Sequence, residues 1–237
     1  VVTLRSIISF DVDNAEIITD IDGKIGSVGD DPAGLAIAFV NSPGPESAIE
    51  LFQRLRSISD APHFLGCTAM GIIGEGREIE DIGGASIVAG TIPDATISGF
   101  HLGDEDLFSS LNDADSFSSA IGLDTVPKLF IILVDPFSTP TRELLAAFNR
   151  TFPGIPVVGG IASGGSGPRR NIMALDDSIY NSGTVGFAVG GEVEIDVIVS
   201  QGCQAVGPLM EVTKSRGNVI TELEGEAPLQ LLHSAFA

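Results

Sequence analysis

The chain has 237 residues, 43% of them hydrophobic and only 19% charged, with a mean hydropathy of +0.33. A chain this long buries roughly 70% of its unfolded surface, which excludes a disordered segment or a small disulfide-stapled module. Its 32 acidic and 12 basic residues give a net charge of −20, which repels phosphate backbones and anionic lipid surfaces and argues against a nucleic-acid partner.

Gly, Pro or Asp interrupts every apolar run before the ~18–20 uncharged residues of a membrane helix, so no transmembrane segment is expected. Cys67 and Cys203 form no CxxC pair or disulfide framework, which suits a reducing compartment. The opening VVTLRSIISF is no secretory signal, lacking a basic leader and a sustained apolar core. A cytoplasmic location is therefore expected.

Residues 1–33 form an acidic segment, and residues 11–31 within it read as solvated loops or helix starts. Residues 34–40 are an apolar run too brief for a helix, which predicts a buried strand. After a Pro- and Gly-rich turn, Ala48, Ile49, Phe52, Leu55 and Ile58 fall near helical spacing. Glu50, Arg54 and Arg56 lie opposite, so one helix face packs on a sheet until Pro62 ends it. Residues 63–67 predict the next strand, 68–76 a loop of small residues, and 85–89 a further strand. The acidic stretch 104–115 reads as loop or helix start.

Residues 128–134 predict another strand. Thr139 then reads as an N-cap with Pro140 in the first helical position, and Leu144, Leu145 and Phe148 as the buried stripe of the helix. Asn149-Arg150-Thr151 matches a glycosylation sequon, discounted because it falls inside that helix. Pro153 and Gly154 stop the helix, residues 155–158 predict a strand, and a glycine-rich block follows at 159–167. Residues 184–189 predict a strand. Residues 192–199 alternate apolar and acidic, as a half-buried antiparallel strand would.

FLGCTAMG at 64–71 and VVGGIASG at 157–164 stand 93 positions apart, each after a strand and a helix. The predicted fold is α/β (α+β), with internally duplicated strand-helix-strand units at 34–100 and 128–199 on mixed, largely antiparallel sheets. It is not a doubly wound nucleotide fold. A pseudo-twofold axis would bring the two small-residue turns together, and the candidate site is placed there. Beyond residue 200, strand-like runs at 210–214 and 218–223 and a helix start at 227–228 read as the opening of a second domain, 200–237, that is cut short.

The block at 159–167 carries neither GxxxxGK[ST] nor GxGxxG followed by a helix, which removes the nucleotide reading. Its glycines permit close approach either to a ligand or to the other repeat. Cys67 ends a strand, but no cysteine-hydrolase signature surrounds it and a buried structural thiol is the commoner fate. His63 and His101 read as satisfied by local hydrogen bonds; no His or Cys pair has ligand spacing, and neither metal nor cofactor is expected. Asp135 caps a turn or meets an amine ligand. Arg169 or Arg170 pairs with a ligand carboxylate or forms a surface salt bridge.

GCTAMGIIGEGREIED, LFIILVDPFSTPTRELLAAFNRTFPGIPVVGGIASGGSGP and VSQGCQAVGPLMEVTKSRGNVITELEGEAPLQLL, in that order, resemble the FIST domain proteins. The likeness runs from about Gly34 through a FIST N-terminal domain into the opening of a FIST C-terminal domain. It implies a sensory or signalling module of bacterial receptors and some eukaryotic F-box proteins, binding a small ligand such as an amino acid, without established catalytic residues. The family blocks fall on Gly66, Cys67 and Thr68, on Gly159, Gly160, Ala162, Ser163, Gly164 and Gly165, and on Gln201, Gly202 and Cys203. The expected ligand-binding set is Cys67, Thr68, Gly159, Gly160, Ser163, Gly164, Gly165 and Arg169, with backbone amides of 159–165 and the hydroxyls of Thr68 and Ser163 holding a carboxylate. The alternatives are a scaffold or linker subunit of a larger protein assembly, conceivably photosynthetic and plastid-located, and, third, a hydrolase using Cys67.

Overall fold

A computed structural model of the chain describes residues 2–11, 13–25, 34–80, 82–123, 126–199, 205 and 207–235. Contacts divide the chain into two units, Val1–Asp196 and Val197–Ala237. In chain order the first unit holds β1 (Thr3–Phe10), α1 (Asn14–Ile25), β2 (Leu35–Asn41), α2 (Pro45–Ser59), β3 (His63–Thr68), a hairpin of β4 (Ile72–Gly74) and β5 (Arg77–Ile79), and β6 (Gly84–Thr91). There follow β7 (Ala95–Leu102), α3 (Asp104–Ser110), α4 (Ala114–Ile121), β8 (Leu129–Val134), α5 (Thr141–Thr151), β9 (Val157–Ile161), a hairpin of β10 (Met173–Leu175) and β11 (Ser178–Tyr180), and β12 (Thr184–Gly191).

One sheet has the order β1-β6-β2-β3-β10-β11 and the other β7-β12-β8-β9. Their first four strands correspond one to one. Only β2–β3 and β8–β9 are parallel; the remaining pairs are antiparallel. The mixed, largely antiparallel fold read from the sequence is the one present.

Strand alternation builds the layers. Along β2, Ala36, Ala38 and Val40 face α1 and α2, while Ile37 and Phe39 face the second sheet. Along β8, Phe130, Ile132 and Val134 face α4 and α5, while Leu129, Ile131 and Leu133 face the first sheet. Strands buried on both faces read as unbroken apolar runs, which is why 34–40 and 128–134 were legible as strands. The result is helices outside, two sheets inside and an inter-sheet core of Leu65, Cys67, Leu133, Met173, Val185 and Phe187.

Several expectations are corrected. The acidic N-terminal stretch is built into the first sheet: β1 pairs with β6 along its length, and Ile17, Ile18, Ile21 and Ile25 form a buried helical stripe that the acidic residues between them masked. The loop predicted at 68–76 contains β4, whose Ile72 is buried. Residues 193–199 form no strand, because Gly191 (φ 90°) turns the chain and Glu192 N–H donates to Asp94 O (3.0 Å), leaving the ladder. Thr139 is not the N-cap of α5: its hydroxyl lies buried against that of Thr184 (3.3 Å), and Pro140 precedes the first helical residue. Leu145 belongs to the outer face of α5, whereas Leu144, Ala147 and Phe148 are buried.

The second unit holds an antiparallel hairpin of β13 (Val212–Arg216) and β14 (Val219–Leu223), then α6 (Pro228–Ala235). These follow the predicted runs within two residues. The block at Gln201, Gly202 and Cys203 lies outside the described residues.

Candidate functional site

The turns after β3 and β9 meet. Ser163 and Gly164 N–H both donate to Thr68 O (3.1 and 3.3 Å), and Met70 N–H donates to Ser163 Oγ (3.1 Å). A Cβ on Gly164 would fall 2.6 Å from Thr68 Cβ, so the contact requires glycine there.

Behind the contact runs a buried polar chain. Thr68 Oγ1 accepts from Ile172 N–H (3.0 Å) and donates to Asn171 Oδ1 (3.4 Å), which also accepts from Gly165 N–H (2.7 Å). Asn171 Nδ2 donates to Asp135 Oδ1 (2.9 Å), and Ser138 Oγ donates to Asp135 Oδ2 (2.6 Å). Asn171 and Asp135 are both fully buried. This network ties β8 to β3, and Asp135 serves its turn and Asn171 rather than an open pocket. It also engages the Thr68 hydroxyl and the amides of 163–165 inside the fold, so these groups are not the free carboxylate donors expected from sequence.

The donors that remain open lie beside that contact, around a polar cavity of about 120 Å³ lined by Ser42, Gly44, Pro45, Thr68, Gly164, Gly165, Ser166 and Arg170. The start of α2 faces it. Gly44 provides no side-chain cap and Pro45 has no N–H, while Ala48 N–H already bonds Gly44 O. The amides of Glu46 and Ser47 have no intrahelical acceptor, and the positive end of the helix dipole lies at the cavity. Arg170 lines the same cavity, and its guanidinium makes no hydrogen bond or ion pair among the described residues.

The remaining predicted residues go elsewhere. Arg169 (φ 59°) turns its guanidinium to Asn181 Oδ1 (3.4 Å), so Arg170 is the arginine at the cavity. Gly159 and Gly160 lie within β9, not in the loop, and line a separate cleft of about 250 Å³ with Leu145, Val157 and Ile161. Cys67 is 3% exposed in the inter-sheet core, and burial pushes its thiol up from 9.0 to about 12. His63 lies at the opposite end of β3, ~13 Å away for four extended residues, packed edge-on against Phe187 (6.0 Å). No thiol–imidazole pair forms there. His101 is satisfied as expected, stacked on Tyr180 (3.8 Å) with Nε2 3.2 Å from Ser182 O. Among the described residues, no three His, Cys, Asp or Glu side chains group as a metal site.

Sequence reasoning missed the α2 start and Asn171. A signal for the first existed: proline at the first helical position after a glycine leaves a helix start without a side-chain cap. Asn171 had none, because its role depends on two strands distant in sequence.

The model of the FIST N domain matches residues 34–226. The chain belongs to the FIST family. An uncharacterized protein of Mycobacterium tuberculosis (strain H37Rv) is 31% identical over 198 residues, covering 84% of this chain and 50% of its own length. One of Mycobacterium bovis is 30% identical over 211 residues, covering 87% and 53%. The FIST chain thus spans about half the length of the curated relatives it matches. FIST domains are in general sensory or signalling modules rather than catalysts. No described helix of this FIST domain is long and apolar enough to cross a membrane.

Proposed function

We propose that this FIST domain is the ligand-binding part of a sensory protein, and that it receives the carboxylate of a small, amino-acid-like ligand in the cavity beside the paired turns. The supporting observation is Arg170, an arginine whose side chain has no partner among the described residues of a protein of net charge −20, set beside a helix N-terminus that lacks a side-chain cap. Arginine fits a carboxylate bidentately, and first-turn amides add charge-assisted hydrogen bonds. The cavity is sized for the ligand's head and not for a drug-sized molecule.

Calorimetric titration with a panel of amino acids and short carboxylates tests this. Saturable heats are expected, with Arg170→Gln weakening binding ~10–100-fold, the worth of a charge-assisted pair. Silence across the panel at millimolar concentration overturns it, as does binding that ignores Arg170. That the matched relatives are bacterial favours the cytoplasmic over the plastid expectation.

A further inference from the structure

The two sheets end differently. In the first, Ala69 N–H donates to Val40 O, which fixes the odd residues of β3 toward β2 and turns Phe64, Gly66 and Thr68 outward. All three outward positions are paired: Phe64 N–H donates to Asp176 Oδ1 and Phe64 O accepts from Asp176 N–H, Gly66 stands opposite Ala174, and Thr68 N–H donates to Ile172 O.

In the second sheet Phe130 N–H donates to Pro156 O and Ala162 N–H to Val134 O, so β9 faces β8 through its even residues. Val157, Gly159 and Ile161 turn outward, at the positions equivalent to Phe64, Gly66 and Thr68. None of these three backbone units has a partner among the described residues, and β9 is the end of its sheet.

Natural edges are blunted by charge, proline or a bulge, and the VVGGI of β9 has none of these. The adjoining cleft is apolar, and it leaves Ile161 55% and Leu145 40% exposed, although Thr68, the counterpart of Ile161, is buried.

We infer that the open edge of β9 is a strand-addition site for an extended apolar segment of another polypeptide, taken up antiparallel as β10 is by β3. The resident strand defines the chemistry. Met173, Ala174 and Leu175 are all buried, with Ala174 opposite Gly66, so the incoming segment presents a large–small–large apolar triplet with its small residue opposite Gly159. It is uncharged or basic, because the acceptor carries −20 and repels a second copy of itself. Main-chain hydrogen bonds supply the affinity; the small central residue stands on the Leu145 and Ile161 side of the strand with Gly159, and the two large ones on the opposite face with Val158 and Gly160.

A capped peptide copying residues 171–175, NIMAL, added to the full chain is the probe, read by amide hydrogen exchange. The expected result is saturable protection at Gly159 and Ile161, which stand opposite the positions of Ala174 and Ile172, weakened about tenfold or more by Ile161→Lys or Leu145→Glu, both surface changes. A control peptide with Met173→Asp is expected to protect nothing. No protection at millimolar peptide overturns the inference, as does protection confined to β3, which reports exchange with the resident hairpin. Protection of the β9 amides in the peptide-free chain, rising with protein concentration, makes the occupant a second copy and overturns it equally.

Discussion

At the residue scale, Asn171 and Cys67 show how burial decides a role. Asn171 is the only described side chain that bonds both Asp135 and the Thr68–Gly165 contact. Asn171→Ala strips Asp135 of one of its two side-chain donors, leaving a buried carboxylate undersatisfied and the Gly165 amide without an acceptor. A loss of ~2–4 kcal/mol is expected in urea unfolding. Cys67 differs in that its side chain is an apolar filler. Its folded pKa is raised to about 12, so the unfolded chain releases this proton first as pH rises. The stability it contributes is complete below about pH 9 and declines above it, toward the folded value. Denaturation from pH 7.5 to 10.5 is expected to show a steeper loss for wild type than for Cys67→Ala, and native Cys67 is expected to resist alkylation at pH 8. Both residues were visible in the sequence, but only Cys67 drew notice, as one of two cysteines and as the end of a predicted strand. Its position in a strand left its face open, and the register resolved it toward the inter-sheet core.

At the element scale, glycines that look alike in sequence are not equivalent in the strand. Gly159 has φ +146°, and a Cβ there would lie 1.8 Å from Ile132 O, whereas one on Gly160 would meet nothing within 4 Å. Gly159→Ala is expected to cost about 2–4 kcal/mol and Gly160→Ala less than ~1 kcal/mol, measured as a shift in denaturation midpoint at constant slope. The strands β2 and β8 and the helices α2 and α5 were legible because apolar runs and helical periodicity are local signals. The β4–β5 hairpin, the strand character of Gly159 and Gly160, and the end of the ladder at Gly191 were not. Each depends on where a neighbouring strand stops donating hydrogen bonds.

At the scale of the molecule, a net charge of −20 acts on every residue at once. The described ion pairs are few and exposed, such as Lys24–Asp20 (2.8 Å) and Arg54–Glu50 (3.6 Å), so like-charge repulsion is not offset locally. Raising sodium chloride from 10 to 300 mM is expected to raise the melting temperature by a few degrees, since the Debye length falls from ~30 to ~6 Å. A fall in melting temperature would show that the acidic surface is already neutralised by its geometry. The same salt is expected to weaken carboxylate binding at Arg170, which separates the global effect from the local one.

Composition and periodicity alone determined the mixed fold class, the buried strands, the principal helices and the two small-residue blocks, because burial patterns and turn chemistry are written in neighbouring residues. Tertiary structure decided the rest. It split the glycine block between a strand edge and a turn, turned Cys67 into the core, closed Thr68 and Gly165 onto Asn171, and left Arg170 rather than Arg169 at the cavity. Those outcomes depend on strand register, where a one-residue slip exchanges the two faces of a strand, and on contacts such as Asn171–Asp135 and Thr68–Asn171, 36 and 103 residues apart in sequence.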